Sequence, residues 1–152
     1  MSRRKRVALL DVNVLFALFD PAHVHHDVAH DWFSDHNPGR WASCPLTENG
    51  FLRTAATVAR GREPLPLADL AAALRTFCAN GRHEFWFDEV TLTDDDLFEV
   101  DAVLGHQQLT DVYLLALAVK HAGMLATFDR NIPLTAVKGA TREHLAVLAP
   151  EE

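Results

Sequence analysis

Residues 7–10 form a short apolar run that ends directly at a carboxylate. The run reads Val-Ala-Leu-Leu and is followed by Asp11 and, two positions further on, by Asn13. A short apolar run bounded by polar residues is typical of a strand that is buried on both faces, as the strands of parallel sheets are. An unpaired carboxylate inside such a strand would lose its hydration. At the carboxyl end of the strand it faces the crevice where open α/β sheets bind ligands. Asp11 is therefore predicted to be the first ligand of an acidic metal site.

The rest of the chain alternates strand-like and helix-like segments. Strands are predicted at 6–10, 41–44, 84–87, 124–128 and 134–137, with a last short element at 144–148. Helices are predicted at 14–19, 22–36, 46–58, 67–78, 93–104 and 112–121. Such alternation indicates βαβ units with right-handed crossovers. The sequence predicts an α/β fold, a three-layer α/β/α sandwich around a central, mostly parallel sheet of four to five strands.

Composition limits the class of protein. The chain has 152 residues, 49% of them apolar, which fits one domain over 1–152. Its formal net charge of −7 argues mildly against simple nucleic-acid binding, which usually requires a basic surface. Cys44 and Cys78 are too few for a disulfide framework and favour a reduced, cytoplasmic location. Basic residues 3–6 resemble the start of a signal peptide, but Asp11 and Asn13 interrupt the apolar segment, and no membrane span is predicted.

Four carboxylates are predicted to meet at one edge of the sheet. Asp11 and Asp129 follow buried strands directly, whereas Glu48 and Asp111 lie in the first turns of predicted helices. Strand ends, and the helix starts that follow them, share the carboxyl edge of a parallel sheet. Converging carboxylates raise one another's pKa values, and a divalent cation removes that conflict. Oxygen ligands suit Mg²⁺ or Mn²⁺ better than zinc, and such ions activate water for phosphodiester cleavage.

Threonines accompany three of these acids. Thr47 is predicted to be the N-cap of the helix that carries Glu48. Thr110 precedes Asp111 directly, and Thr127 stands two residues before the last acid of the set. Their hydroxyl groups are predicted to cap helices or to orient a carboxylate from behind the metal site.

The same residues carry a resemblance to a known family. The segments LDVNVL at 10–15, TE at 47–48, TDVYLLALA at 110–118 and ATFDR at 126–130 resemble, in order and spacing, the four motifs of PIN-domain nucleases. More narrowly, the chain is similar to the VapC toxins of bacterial toxin–antitoxin pairs. The resemblance implies an α/β/α sandwich with Mg²⁺-dependent endoribonuclease activity. It also implies an RNA substrate, a VapB-like antitoxin as partner, and assembly as a homodimer or a toxin–antitoxin hetero-oligomer.

The resemblance also assigns roles to residues. Asp11, Glu48, Asp111 and Asp129 correspond to the family's catalytic and metal-binding acids, with water as the nucleophile. Asn13 falls where the family often has a small polar residue that orders the site, although it is equally explained as a polar cap on the following helix.

Other interpretations of the sequence remain open. His26 and His30 lie four residues apart within a cluster that begins at His23, and this spacing can bind zinc on one face of a helix. The cluster lacks the Glu general base of an HExxH motif, so a solvated or partner-facing helix face is the favoured explanation. A receiver-like signalling domain would also gather acids at strand ends, but Asn13 stands where it needs a second acid. A non-catalytic RNA-binding domain would leave four buried acids without a use.

Overall fold

The computed structural model describes residues 6–36, 39–57 and 65–148. Within these ranges a five-stranded sheet has the order β3-β2-β1-β4-β5, and every pair of neighbours is parallel. The strands are β1 (Ala8–Leu10), β2 (Trp41–Ser43), β3 (His83–Phe85), β4 (Met124–Thr127) and β5 (Leu145–Val147). The first strand therefore lies at the centre of the sheet, which places the end of β1 between the ends of β2 and β4.

Helices cover both faces of this sheet. They are α1 (Val12–Phe19), α2 (His26–His36), α3 (Pro45–Thr57), α4 (Leu67–Cys78) and α5 (Leu109–Lys120). The alternation of side chains along β1 separates two cores. Ala8 and Leu10 pack with apolar residues of α1 to α4, whereas Leu9 packs with α5. The predicted three-layer sandwich with a parallel central sheet is thus confirmed.

Helix α5, which packs on the opposite face of the sheet from α1 to α4, is buried over most of its length. Residues Val112 and 114–118 of α5 are all buried, so the helix contacts protein on most of its circumference. It ends at Lys120, and Ala122 then takes a positive φ of 54° before β4 begins. The first turn of α5 lies at the opposite end, near the carboxyl edge of the sheet.

Two predicted elements were wrong. Residues Leu134–Ala136 form a short 3-10 helix, and the fifth strand is Leu145–Val147, which pairs with β4. No α-helix spans 93–104 either. The chain there makes turns and a short 3-10 helix, Val100–Ala102.

The missing helix has a tertiary cause. The side chain of Asp94 accepts a hydrogen bond from the backbone of Asp96, which favours a turn over a helix. Further along, Phe98 forms an antiparallel bridge with Val137, and Lys138 donates its backbone N–H to Leu97. These backbone groups therefore pair with another segment instead of with their own helix.

Smaller differences concern element ends. The second helix begins at His26 rather than at residue 22, and β3 is His83–Phe85 rather than 84–87. The predicted end of the third helix at 58 and residues 3–5 of the basic segment lie outside the described residues. None of the helices within the described ranges has the length and apolar character that a membrane crossing requires.

Candidate active site

Asp11 connects the central strand to the first helix. Its backbone N–H donates to the carbonyl of Ala126 on β4 (2.9 Å), and its side chain is the N-cap of α1, with Oδ1 accepting from the Val12 N–H at 2.7 Å. Its second oxygen, Oδ2, accepts from the Thr127 hydroxyl at 2.7 Å. The residue is only 5% exposed. Both carboxylate oxygens thus have a donor, which holds the side chain in one orientation.

Thr127 is the polar centre of this end of the sheet. It is fully buried at the end of β4, and besides donating to Asp11 its Oγ1 accepts from the backbone N–H of Asp129 at 3.1 Å. Asn13 reaches across from α1: its Nδ2 lies 3.5 Å from Thr127 Oγ1, and its Oδ1 accepts from the Phe128 N–H at 3.4 Å. Asn13 therefore links α1 to the segment after β4, and Asp11, not Asn13, caps α1.

Asp111 lies in the first turn of α5 and faces the same place. Its pKa is raised to about 8, first by burial and then by the negative charge of Asp11, with Asp129 contributing next through a hydrogen bond and its charge. Burial also raises the pKa of Asp11, while the bonds from Thr127 and Val12 oppose that rise. The structure thus brings Asp11, Asp111 and Asp129 together, and a proton on Asp111 relieves part of their repulsion.

This set of oxygen ligands fits a hard divalent cation. Three carboxylates from β1, α5 and the segment after β4 converge, and the metal-free cluster must retain a proton that a cation would displace. All of the charged ligands are carboxylates, the preferred ligands of Mg²⁺ and Mn²⁺. The donor chemistry and the electrostatic conflict therefore agree with the predicted acidic metal site.

Glu48 has different neighbours. It lies in the first turn of α3 at the same edge of the sheet, but its carboxylate accepts a hydrogen bond from Ser43 Oγ at 2.5 Å. Ser43 Oγ is also 2.7 Å from His83 Nε2, and the thiol of Cys78 lies beside them. None of the hydrogen bonds within the described residues joins Glu48 to the three aspartates. The structure brings Glu48 into a second cluster.

The predicted threonine cap at α3 was wrong. The helix begins at Pro45, so Cys44 is the N-cap residue and Thr47 lies within the first turn. Thr47 Oγ1 accepts from the Cys44 N–H at 3.0 Å, and it donates back to the Cys44 carbonyl. Thr110 is exposed in the first turn of α5 and, among the described residues, forms no hydrogen bond with any of the four acids.

The histidine cluster divides between several contacts. His26 Nδ1 lies 2.7 Å from the Ala17 carbonyl, and the ring of His25 stacks on Phe128 with centroids 4.9 Å apart. The rings of His26 and His30 are 6.0 Å apart. Because Phe128 precedes Asp129, this contact places His25 close to the carboxylate cluster.

Sequence reasoning missed Ser43, Cys78 and His83. Cys78 and His83 are separated by five positions and come from the end of a helix and the start of a strand, which matches no ligand spacing with a recognised meaning. Ser43 carried no signal beyond its place at the end of a strand. Only the packing of α4 against β2 and β3 reveals the group.

Comparison with known proteins identifies the class of this fold and site. The PIN domain family model matches residues 8–138, so the chain belongs to the PIN-domain family. Three relatives from Mycobacterium tuberculosis (strain H37Rv) cover most of the chain. Ribonuclease VapC44 is 44% identical over 141 residues, 93% of this chain and 99% of the relative.

Ribonuclease VapC39 of the same strain is 39% identical over 132 residues, covering 87% of this chain and 95% of the relative. Ribonuclease VapC38 is 40% identical over 126 residues, covering 83% and 87% respectively. These relatives are named as VapC ribonucleases, and together with the PIN domain match they confirm the resemblance inferred from the four motifs.

Proposed function

We propose that this chain is the toxin of a type II toxin–antitoxin pair, a Mg²⁺-dependent endoribonuclease that cleaves RNA phosphodiester bonds with water. The observation that carries the proposal is the convergence of Asp11, Asp111 and Asp129 at the carboxyl edge of a PIN-domain sheet. The relatives that are similar over most of the chain are named ribonucleases. A receiver-like signalling domain has no comparable support.

The residues of the carboxylate cluster have separate tasks in this proposal. Asp11 and Asp111 are the first metal ligands, and Asp129 completes the cluster from the segment after β4. Thr127 and Asn13 position Asp11 and the 127–129 backbone through the hydrogen bonds described above. Because hydrogen bonds already fix the Asp11 side chain, this carboxylate loses little conformational freedom when the substrate binds.

Two further residues are also given roles, although among the described residues neither is hydrogen-bonded to the three aspartates. Glu48 is proposed to be the fourth catalytic acid, since it follows β2 at the same edge of the sheet, although its carboxylate bonds to Ser43 in this structure. Thr110 is proposed to support Asp111 from the exposed start of α5.

A divalent cation would supply the positive charge that balances the three carboxylates. When bound, Mg²⁺, or Mn²⁺ as a substitute, neutralises the cluster, attracts the RNA phosphate and activates the attacking water. The acids would hold the ion at the carboxyl edge of the sheet, where the RNA phosphate would bind. The cation also explains how a chain with a formal net charge of −7 can bind a polyanion.

Partners are proposed from the same comparison. We expect RNA as substrate, a VapB-like antitoxin as the cognate partner, and a homodimer or a toxin–antitoxin hetero-oligomer as the assembly. An apolar groove between α1, α3 and α4 offers a surface for the antitoxin, with Leu15, Phe19, Phe51, Leu74 and Phe77 among the residues that line it. We also propose one nuclease domain over 1–152 and a cytoplasmic location, which the two free cysteines favour.

The test is RNA cleavage by purified protein. We expect cutting with Mg²⁺ or Mn²⁺, none with EDTA, and none by the Asp11→Asn or Asp111→Asn variants. Asp101→Asn is the matched control, because Asp101 is an exposed aspartate of a short 3-10 helix. Circular dichroism should show that every variant is folded. Metal-dependent cutting that survives either site substitution would overturn the proposed site.

A second arm covers a narrow choice of substrate. Expression of the wild-type chain should arrest growth, and coexpression of the neighbouring antitoxin gene should relieve the arrest. Growth arrest that the Asp111→Asn variant still produces would show that toxicity does not come from this site.

A further inference from the structure

The second cluster joins three kinds of metal ligand from three elements. Glu48 comes from the first turn of α3, Cys78 is the last residue of α4, and His83 is the first residue of β3. One ligand atom from each, a carboxylate oxygen, a thiol sulfur and a ring nitrogen, lie within 4.8 Å of one another. All three side chains are partly exposed, so an ion can enter without unfolding the surroundings.

The cluster is already ordered without a ligand. Ser43 is fully buried, and its hydroxyl bonds to both the Glu48 carboxylate and His83 Nε2. The ring of His83 also packs on Trp41, with centroids 4.4 Å apart. Contacts of this kind, which fix the orientation of a ligand from behind, are typical of metal sites.

The mixture of ligands selects the metal. Nitrogen and sulfur ligands favour Zn²⁺ over Mg²⁺, which prefers oxygen alone. One thiolate, one carboxylate and one neutral imidazole would balance the two charges of Zn²⁺, so the occupied site has no net charge. A neutral site minimises the cost of removing ions from water at a half-buried position.

The protonation states of the metal-free residues agree with such a site. Burial lowers the pKa of His83, so its ring is neutral and able to ligate. Burial and the charge of Glu48 raise the pKa of Cys78, so the free thiol retains its proton and is a poor nucleophile. Zinc binding would release that proton to water and form the zinc–thiolate bond.

We propose that Glu48, Cys78 and His83 form a second metal site, selective for Zn²⁺ and distinct from the aspartate cluster. Occupation of this site engages Glu48 and thereby withholds it from RNA cleavage. The second statement rests on the proposed ribonuclease function, whereas the first does not.

The binding experiment uses Co²⁺ as a spectroscopic substitute for zinc on the full-length, tag-free chain, with excess Mg²⁺ present. A thiolate-to-Co²⁺ charge-transfer band should saturate at one ion per chain, and equimolar Zn²⁺ should remove it. An ion at the aspartate cluster gives no such band, because that cluster has no sulfur. Asp111→Asn should therefore leave the band unchanged.

Three variants assign the band to this cluster. Cys78→Ser should abolish it, and His83→Gln should weaken Co²⁺ binding by at least about tenfold. Cys44→Ala should leave it intact, since Cys44 is the other cysteine and lies in the core on the opposite face of the sheet. Urea denaturation confirms that each variant is folded. Absence of a band in the wild type, or a band that survives Cys78→Ser, would overturn the site.

Cleavage assays test the consequence separately. Equimolar Zn²⁺ should lower Mg²⁺-dependent cleavage by the wild type, and Cys78→Ser should resist this inhibition. Equal inhibition of both proteins would overturn the proposed effect on Glu48. If neither protein cleaves RNA while the Co²⁺ band persists, the proposed ribonuclease function fails and the metal site stands.

Discussion

Substitution of Asp111 by Asn should stabilise the metal-free protein, although we expect the same substitution to abolish RNA cleavage. The pKa of Asp111 is raised from its ordinary value of 3.8 to about 8, chiefly by burial and by the charge of Asp11. The difference, about 8 minus 3.8, is roughly 4 pH units, which would correspond to about 6 kcal/mol for a group sealed from water. Asp111 is partly exposed, so solvent screens most of this energy and we expect about 1–3 kcal/mol.

The sign follows from the protons that each state binds. Between about pH 4 and pH 8 the unfolded chain has lost the Asp111 proton while the folded chain retains it. Because the folded state binds more protons, its stability falls as pH rises through this window and levels off above it. An asparagine cannot ionise and can still donate a hydrogen bond to the neighbouring carboxylates. The stability of the variant should therefore not fall between about pH 4 and pH 8 on account of residue 111.

Urea denaturation in EDTA measures the effect. At about pH 8 the Asp111→Asn midpoint should lie roughly 0.5–1.5 M above the wild type, given a urea slope of about 2 kcal/mol per molar. At about pH 5 the difference should shrink. Asp101→Asn, at an exposed position, should stay within about 0.5 kcal/mol of the wild type at both pH values. A variant that is equal to or less stable than wild type at pH 8 would refute this account of the cluster.

Three further perturbations have expected outcomes. Thr127→Val leaves Asp11 Oδ2 and the Asp129 N–H without their partner, so urea denaturation should show a loss of about 1–3 kcal/mol in the free energy of unfolding. The control Thr76→Val, on the exposed surface of α4, should lower this free energy far less. Leu117→Ala should cost about 2–5 kcal/mol, because Leu117 is fully buried, and an unchanged urea midpoint would contradict the assigned core. Mg²⁺ at about 100 times its dissociation constant should add about 2.7 kcal/mol of stability to the wild type, and calorimetry should find this gain lost in Asp11→Asn.

The central features of the fold could be predicted because they depend on local pattern. The run at 7–10 and the helix after Asp111 are so apolar that their burial can be predicted from sequence. In a parallel sheet, the carboxyl ends of the strands and the starts of the following helices then lie at the same edge. The helix predicted at 93–104 failed because its backbone groups pair with residues 136–138, and nothing in the Asp94–Asp96 segment reports that contact. The segments 134–137 and 145–147 are both short and apolar, and only the tertiary structure shows that 145–147 is the fifth strand.

The same limit applies to the candidate site. Asp11, Asp111 and Asp129 lie at strand ends and helix starts, so their proximity could be predicted from the sequence. The hydrogen bond from Ser43 to Glu48 and the approach of Cys78 and His83 depend on side-chain orientation between elements up to 40 positions apart. Sequence spacing contains no information of that kind.

The bond between Asp11 and Thr127 joins residues 116 positions apart. A ribosome produces the chain from its amino end, so Asp11 leaves the exit tunnel long before α5 and β4 exist. Strand β1 cannot pair with β4 until residues 124–127 have been translated, and contacts between residues so far apart in the sequence form slowly. A chain stopped before Asp111 lacks two of the three converging carboxylates. The three carboxylates therefore converge only after residue 129 has been translated, so a nascent chain that already contains Asp11 still lacks the complete cluster.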